Sequence, residues 1–256
     1  MNACSDFHLE SRGFCPTCGK ESTFEAYNPW LRDHFLCTQC GSIPRERALM
    51  RVIEQFMPDW RERTVHESSP CMRGASLKLQ NECGNYIASQ FFHDDDLGTL
   101  VNGVRNENLE KLSFGDNSID LHVTQDVMEH IFNPEQAFRE IHRTLRPGGM
   151  HIFTVPLVQK LGPSRTRAFS AHGEIVHIEP EYYHGNPIGD GRALVTTDWG
   201  YDICQFIHTY TDSFTQVISI DDMSSGIRAE YIEVLVTVKP VGRVALESSA
   251  VVRRSA

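Results

Sequence analysis

Between Asp120 and Val155 the chain passes from strand to helix to strand with almost no slack, and this succession narrows the possible folds more than any other feature. Asp120-Leu121-His122-Val123-Thr124 reads as a strand, and Pro134 to Leu145 as a helix. Ala137, Phe138, Ile141 and Leu145 give that helix one buried stripe, and Pro147-Gly148-Gly149 stops it. Met150 to Val155 then reads as a buried strand. Such alternation implies βαβ units and a mostly parallel, doubly wound α/β sheet.

The flanks fit the same scheme. Pro44 suits a first helical turn, and Ala48, Leu49, Val52, Ile53 and Phe56 follow at helical spacing before Pro58. Thr64-Val65-His66 and Tyr86-Ile87-Ala88 are short strand candidates. Thr196 to Asp202 looks like a helix start capped by Thr197 or Asp198, with Ile203, Phe206 and Ile207 facing the core. Thr215–Ile220 and Tyr231–Val238 lie without a helix-length gap, which suggests an antiparallel pair at a sheet edge. The expected organisation is a small module over residues 1–44, an α/β domain over 45–240 with an insertion at 157–195, and a frayed tail over 241–256.

The first module is defined by cysteines. Cys15-Pro16-Thr17-Cys18-Gly19 and Cys37-Thr38-Gln39-Cys40-Gly41 form two knuckles separated by 18 residues. Two intervening residues let both sulfurs of a knuckle reach one tetrahedral ion at about 2.3 Å. The following glycine can take the positive φ such a turn needs. Four thiolates fill the coordination sphere, so the module reads as a zinc ribbon with a structural zinc on Cys15, Cys18, Cys37 and Cys40. A redox-active Cys-x-x-Cys pair is the rival reading. A module this short has little core, so the ion would supply on the order of 10 kcal/mol of its folding free energy. His34 reads as a surface residue. Arg45, Arg47 and Arg51 follow on one helix, either as a small cationic patch or as a solvated face shared with Glu46 and Glu54.

Charge restricts partners. In 256 residues, 24 Lys and Arg stand against 34 Asp and Glu, a formal net charge of −10. An acidic chain has no global attraction to phosphate backbones, which argues against nucleic acid as a partner. No apolar run approaches the roughly 20 residues of a membrane helix. The beginning of the chain lacks a basic start followed by an apolar stretch. With the knuckles, this leads us to expect a reducing, cytoplasmic location.

The stretch Leu112-Ser113-Phe114-Gly115-Asp116-Asn117-Ser118-Ile119-Asp120, then Glu129-His130, then Glu140 to Gly149 with Arg143, Leu145 and Pro147-Gly148-Gly149, resembles the class I S-adenosylmethionine-dependent methyltransferases of type 11. The resemblance implies a seven-stranded Rossmann-like sheet whose last strand is antiparallel, with S-adenosylmethionine at the carboxyl ends of the first strands. Ligands of open α/β sheets sit at the strand-order switch point in any case. Carried over by position, Glu67 matches the acid of the first motif, while Ser69 and Cys71 stand where glycines are usual. Pro70 between them removes a donor. Gln90, with Ser89, takes the place of the ribose-binding acid, and Asp94, Asp95 and Asp96 follow closely. Glu107 and Asn108 match the adenine-side pair, with Leu109 offering its N–H. Gln125 and Asp126 end a strand under the cofactor, and His130 matches the family's Glu-His pair.

The 157–195 insertion exceeds the 2–6 residues typical of a strand-to-helix connection, and such insertions are usually functional. It holds His172, Glu174, His177, Glu179, Glu181, His184 and Asp190, together with Tyr182 and Tyr183. His177 and His184 are the candidates for a catalytic base, since imidazole titrates near neutrality. Aromatic faces beside acids also suit a sugar ring. The leading reading is therefore a methyltransferase acting on a small polar acceptor, a sugar or glycan precursor among them. A non-catalytic, zinc-stabilised binding module on a decayed methyltransferase fold is the alternative, supported by the missing glycines. An RNA methyltransferase ranks third.

Overall fold

The computed structural model describes residues 7–92, 96–185 and 191–241. Asp94, Asp95, Asp190 and the 242–256 part of the tail lie outside these residues.

The N-terminal module is a three-stranded antiparallel sheet of β1 (Leu9–Cys15), β2 (Lys20–Ala26) and β3 (Leu36–Cys37), with a one-turn helix α1 (Leu31–His34) between the last two. Phe24, Ala26 and Phe35 form its small core around Cys15 and Cys37. Helix α2 (Pro44–Phe56) leads into the main sheet, with Pro44 in its first turn and the Glu46 carboxylate accepting from the Ile43 N–H at 3.0 Å.

The main sheet runs β16-β17-β9-β8-β4-β5-β7-β6. Its members are β4 (Thr64–Ser68), β5 (Asn85–Gln90), β6 (Leu100–Val101), β7 (Val104–Asn106), β8 (Ile119–Gln125), β9 (Leu145–Thr154), β16 (Thr215–Ile218) and β17 (Val234–Val238). The order departs in two directions from β4, the switch-point arrangement of doubly wound sheets. β17 is antiparallel to both β9 and β16, as the spacing of the last two strand segments suggested. Among the described residues there are eight strands rather than seven, because the segment before Glu107 folds into the hairpin β6–β7, and β6 adds one short antiparallel strand at the edge beyond β7.

Side chains alternate between the two faces. Val65, Leu121, Val123, Ile152, Val234 and Val236 meet α2, α3 (Gly74–Glu82) and Trp60 on one side. Phe153, Val155 and Leu235 meet α4 (Pro134–Thr144) and α5 (Ile203–Thr211) on the other. Asn133 caps α4 by accepting from the Gln136 N–H. The stripe Ala137, Phe138, Ile141 and Leu145 is buried as the periodicity requires.

Three local expectations change. Pro147-Gly148-Gly149 does not separate helix from strand: β9 starts at Leu145 and carries the Pro-Gly-Gly within it, with an irregular register opposite β8 and Gly148 at φ 81°. Thr197 and Asp198 do not cap α5. They form the short strand β15 (Thr197–Asp198) against β10 (Arg165–Thr166), and the helix starts after Asp202. Arg45 and Arg47 form neither an exposed patch nor a solvated face. Arg47 is fully buried, sandwiched on Phe24 and Phe35, with its guanidinium donating to the carbonyls of Phe35, Ser42 and Gly226.

The insertion consists of two further antiparallel hairpins, β11 (Ala168–Ala171) with β12 (Glu174–His177), and β13 (Tyr183–Gly185) with β14 (Arg192–Leu194).

On the α4 face three histidines occupy facing positions of three adjacent strands: His66 on β4, His122 on β8 and His151 on β9. His66 Nδ1 meets His122 Nδ1 at 2.8 Å, and Ser89 and Thr144 close the chain at 2.7 and 2.8 Å. One proton is shared between the two facing ring nitrogens. Burial pushes His66 and His151 down to about 3 and holds His122 well below its ordinary value.

Candidate active site and metal centre

At the carboxyl end of β8 lies a cavity of about 670 Å³, the size range of small-ligand pockets. Three parts of the chain build it. The ribbon supplies Trp30 and Arg32, and α2 supplies Arg45. The sheet supplies Gln125 and Asp126, followed by Glu129 and His130 of a short 3-10 turn. The insertion supplies Tyr182, His184 and Val195, β15 supplies Asp198, and Tyr231 closes the far wall.

Asp126 holds the cavity together. It takes a left-handed conformation at φ 53° as the strand ends. Thr154 Oγ1 donates to its carboxylate at 2.9 Å, and Arg32 and Arg45 both pair with it. Burial lowers the Arg45 guanidinium to about 10, which leaves it cationic at neutral pH, and burial lowers Arg32 as well. Sequence reasoning missed this clip. Arg32 lies in the ribbon and its acceptor 94 residues away, so no local pattern announces the pair.

The residues carried over from the methyltransferase resemblance divide into two groups. Gln125, Asp126 and His130 line the cavity. Glu67, Ser69, Gln90, Glu107, Asn108 and Leu109 do not contribute to its wall. Glu67 is fully buried and accepts from Ser76 Oγ at 2.6 Å, Tyr86 OH at 2.8 Å and Gln125 Nε2 at 2.8 Å. Burial pushes its carboxyl upward against those three donors. Ser69 sits at φ 55° and donates its N–H to Ser89 O, a positive φ where the family carries glycine. Gly74 is forced to be glycine here: at φ 56°, a Cβ would stand 2.1 Å from a Glu46 carboxylate oxygen. Glu107 accepts from Arg105 Nε at 2.6 Å and from the Ser113 N–H at 2.8 Å. The Asn108 side chain accepts from the Glu110 N–H, and Gln90 O accepts from the Glu107 N–H.

Of the two candidate bases, His184 reaches the cavity and His177 does not. His177 lies on the exposed strand β12, beside Glu181 at 3.6 Å. His184 stands 3.5 Å from the Glu129 carboxylate and packs edge-on against His130 and Tyr182.

Residues 85–153 match the sequence profile of a family described as a methyltransferase domain. Over that segment the chain is similar to this family. The match begins at β5, after the strand and turn in which the first-motif glycines are replaced, and runs through β9. Solved structures similar to the whole domain include an S-adenosylmethionine-dependent methyltransferase from Mesorhizobium loti (13% identity, 75% of this chain and 97% of that one, TM-score 0.46). Another is the 1,6-didemethyltoxoflavin-N1-methyltransferase of Burkholderia thailandensis (12% identity, 77% and 78%, TM-score 0.46). Likeness at this level carries nothing about an acceptor. A search of curated protein sequences finds no significant match.

N-terminal to the matched segment, Cys15, Cys18, Cys37 and Cys40 converge, with all four sulfurs within 4.8 Å of one another. Cys15 Sγ and Cys40 Sγ are 3.8 Å apart. Tetrahedral sulfurs at 2.3 Å from zinc lie about 3.8 Å apart, so the donor set fits that ion. Gly19 and Gly41 adopt φ 66° and 68° and donate N–H to the carbonyls of Cys15 and Cys37, the turn geometry the knuckles call for.

Does the pocket also fit S-adenosylmethionine? The cavity wall offers what its charged end requires. Among the described residues, Gln125 Oε1 and both Glu129 oxygens are buried acceptors without hydrogen-bond partners, suited to an ammonium or a sulfonium, and two arginines stand beside them for a carboxylate. On the nucleoside side, Glu107 and Gln90 stand away from this wall, with Glu107 held by Arg105 and Ser113.

Proposed function

We propose that the protein is an S-adenosylmethionine-dependent methyltransferase whose acceptor is a small polar molecule, sugars included. One observation carries this reading. In a chain that matches a methyltransferase domain over residues 85–153, the cavity at the carboxyl end of β8 is lined by buried acceptors without partners among the described residues, together with side chains of the ribbon and the insertion. A space of this size favours a small acceptor over a polymer.

When bound, the sulfonium supplies an activated methyl carbon, and the protein needs only to align it with a nucleophile. Orientation of this kind contributes about 7–11 kcal/mol. Gln125 and Glu129 hold the positive end, while the Arg32–Asp126–Arg45 clip fixes the wall and receives a carboxylate. Tyr182 and Trp30 offer faces for a ring, and His184 is the base nearest the acceptor space. The reading places a structural zinc on the four cysteines.

Calorimetry with S-adenosylhomocysteine tests the reading, with binding expected in the micromolar range and reduced in Gln125→Ala. No heat up to millimolar ligand would favour the second reading, a binding module on a methyltransferase scaffold. That alternative draws support from the Glu67 carboxylate, which is already saturated by Ser76, Tyr86 and Gln125. Transfer of labelled methyl to a panel of sugars and nucleotide sugars tests the acceptor. Among the described residues no helix is long and apolar enough to cross a membrane.

A further inference from the structure

We propose that Glu129, His130 and His184 form a second metal site that binds one divalent transition ion at the wall of the cavity. The donor atoms of the three side chains lie within 4.8 Å of one another. Glu129 Oε1 is 3.5 Å from His184 Nδ1 and 3.8 Å from His130 Nε2. Donors around an ion at about 2.1 Å lie about 3.0–3.4 Å apart, so small side-chain rotations close the site.

Two independent features point to a cation here. The first is Glu129 itself. Its side chain is 3% exposed, and among the described residues neither carboxylate oxygen has a hydrogen-bond partner. A buried carboxylate without a donor is costly. The neighbouring Arg32 and Arg45 direct their guanidinium groups at Asp126 instead. The second is the preparation of His130. Its Nδ1 donates to the Leu194 carbonyl at 2.8 Å, which leaves the Nε2 lone pair facing Glu129. A metal-binding imidazole is ordinarily oriented this way, by a carbonyl on its other nitrogen.

Two imidazoles and one carboxylate select a divalent ion from manganese to zinc over magnesium or calcium, which prefer all-oxygen shells. Three protein ligands leave positions open, and those positions face the cavity. The ion would therefore take an oxygen ligand from whatever occupies it, and in the ion-loaded state Glu129 and His184 serve as its ligands, leaving Gln125 to face the positive end of the methyl donor. Sequence spacing gave little warning. His184 lies on the insertion hairpin β13–β14 and meets the Glu-His pair only after that hairpin folds over β8.

Cobalt(II) titrated into the zinc-loaded full chain tests the site, followed by calorimetry and visible absorption. One equivalent beyond the ribbon zinc is expected, with the weak bands of a nitrogen–oxygen site and without the intense thiolate charge transfer of an exchanged ribbon. His184→Ala, on a partly exposed hairpin, and Glu129→Gln should each bind about 10–100-fold more weakly. His177→Ala should bind as the parent does. Absence of a second equivalent at millimolar cobalt, or binding undiminished in both ligand variants, overturns the site. The titration needs no methyl donor, so its outcome is separate from that of the S-adenosylhomocysteine experiment.

Discussion

The row His66–His122–His151 should make the protein acid-labile in a measurable way. Each imidazole is neutral and buried, with a folded-state value far below the ordinary 6.5. Below pH 6.5 the unfolded chain therefore binds protons that the folded chain does not, and stability falls as pH falls. The interval from pH 7.5 to 5.5 lies wholly above the folded values, so the size of the loss depends only on the ordinary one. Each histidine then removes about 1.4 kcal/mol over that interval, and three remove about 4 kcal/mol. That is a large share of a typical stability of about 5–15 kcal/mol. Glu67 works in the opposite sense, because burial raises its carboxyl and deprotonation costs stability as pH rises. A comparison with His122→Gln isolates one imidazole from that background. Urea denaturation at pH 7.5, 6.5 and 5.5 should show the gap between wild type and variant narrowing by about 1.4 kcal/mol towards the acid end. A gap independent of pH would refute the neutral buried row.

Other perturbations have equally definite outcomes. Gly74→Ala should destabilise the protein by about 1–3 kcal/mol in thermal unfolding, since it combines a positive φ with a collision against Glu46. Arg47→Met keeps the volume but strands the buried carbonyls of Phe35 and Gly226, while Ser42 O keeps the Cys37 N–H, and should cost about 2–6 kcal/mol in urea titration. Stripping the ribbon with a strong chelator should unfold residues around Cys15–Cys40, read as lost amide protection there, and zinc should restore it. Asn133→Ala should cost about 1 kcal/mol through the lost cap of α4, read by the same titration.

Regular elements were legible because their signals are local. The period of Ala137, Phe138 and Ile141 places one helix face without knowledge of its neighbour, and the Cys-x-x-Cys-Gly spacing describes a turn as much as a ligand set. The order of the cavity wall was not legible. Arg47 stands beside charged residues and looks solvated, yet it reaches a carbonyl 179 positions later. The three histidines sit singly on separate strands, and only parallel register aligns them. Cofactor residues inferred by position were least secure where the first motif diverges. Ser69, Pro70 and the backing carboxylate of Glu46 reshape the turn there, and Glu67 turns inward to Ser76, Tyr86 and Gln125.

The docking of the ribbon has a practical consequence. Ser11 donates to the Met223 carbonyl, a Cβ on Gly226 would collide with Phe24, and Arg32 crosses to Asp126. A shortened protein beginning at the α/β domain would thus lose the lid formed by Trp30 and Arg32 and leave Arg45 alone on its acid. Screening ligands against such a fragment would sample an open trough, and weak hits from it would misreport the intact molecule.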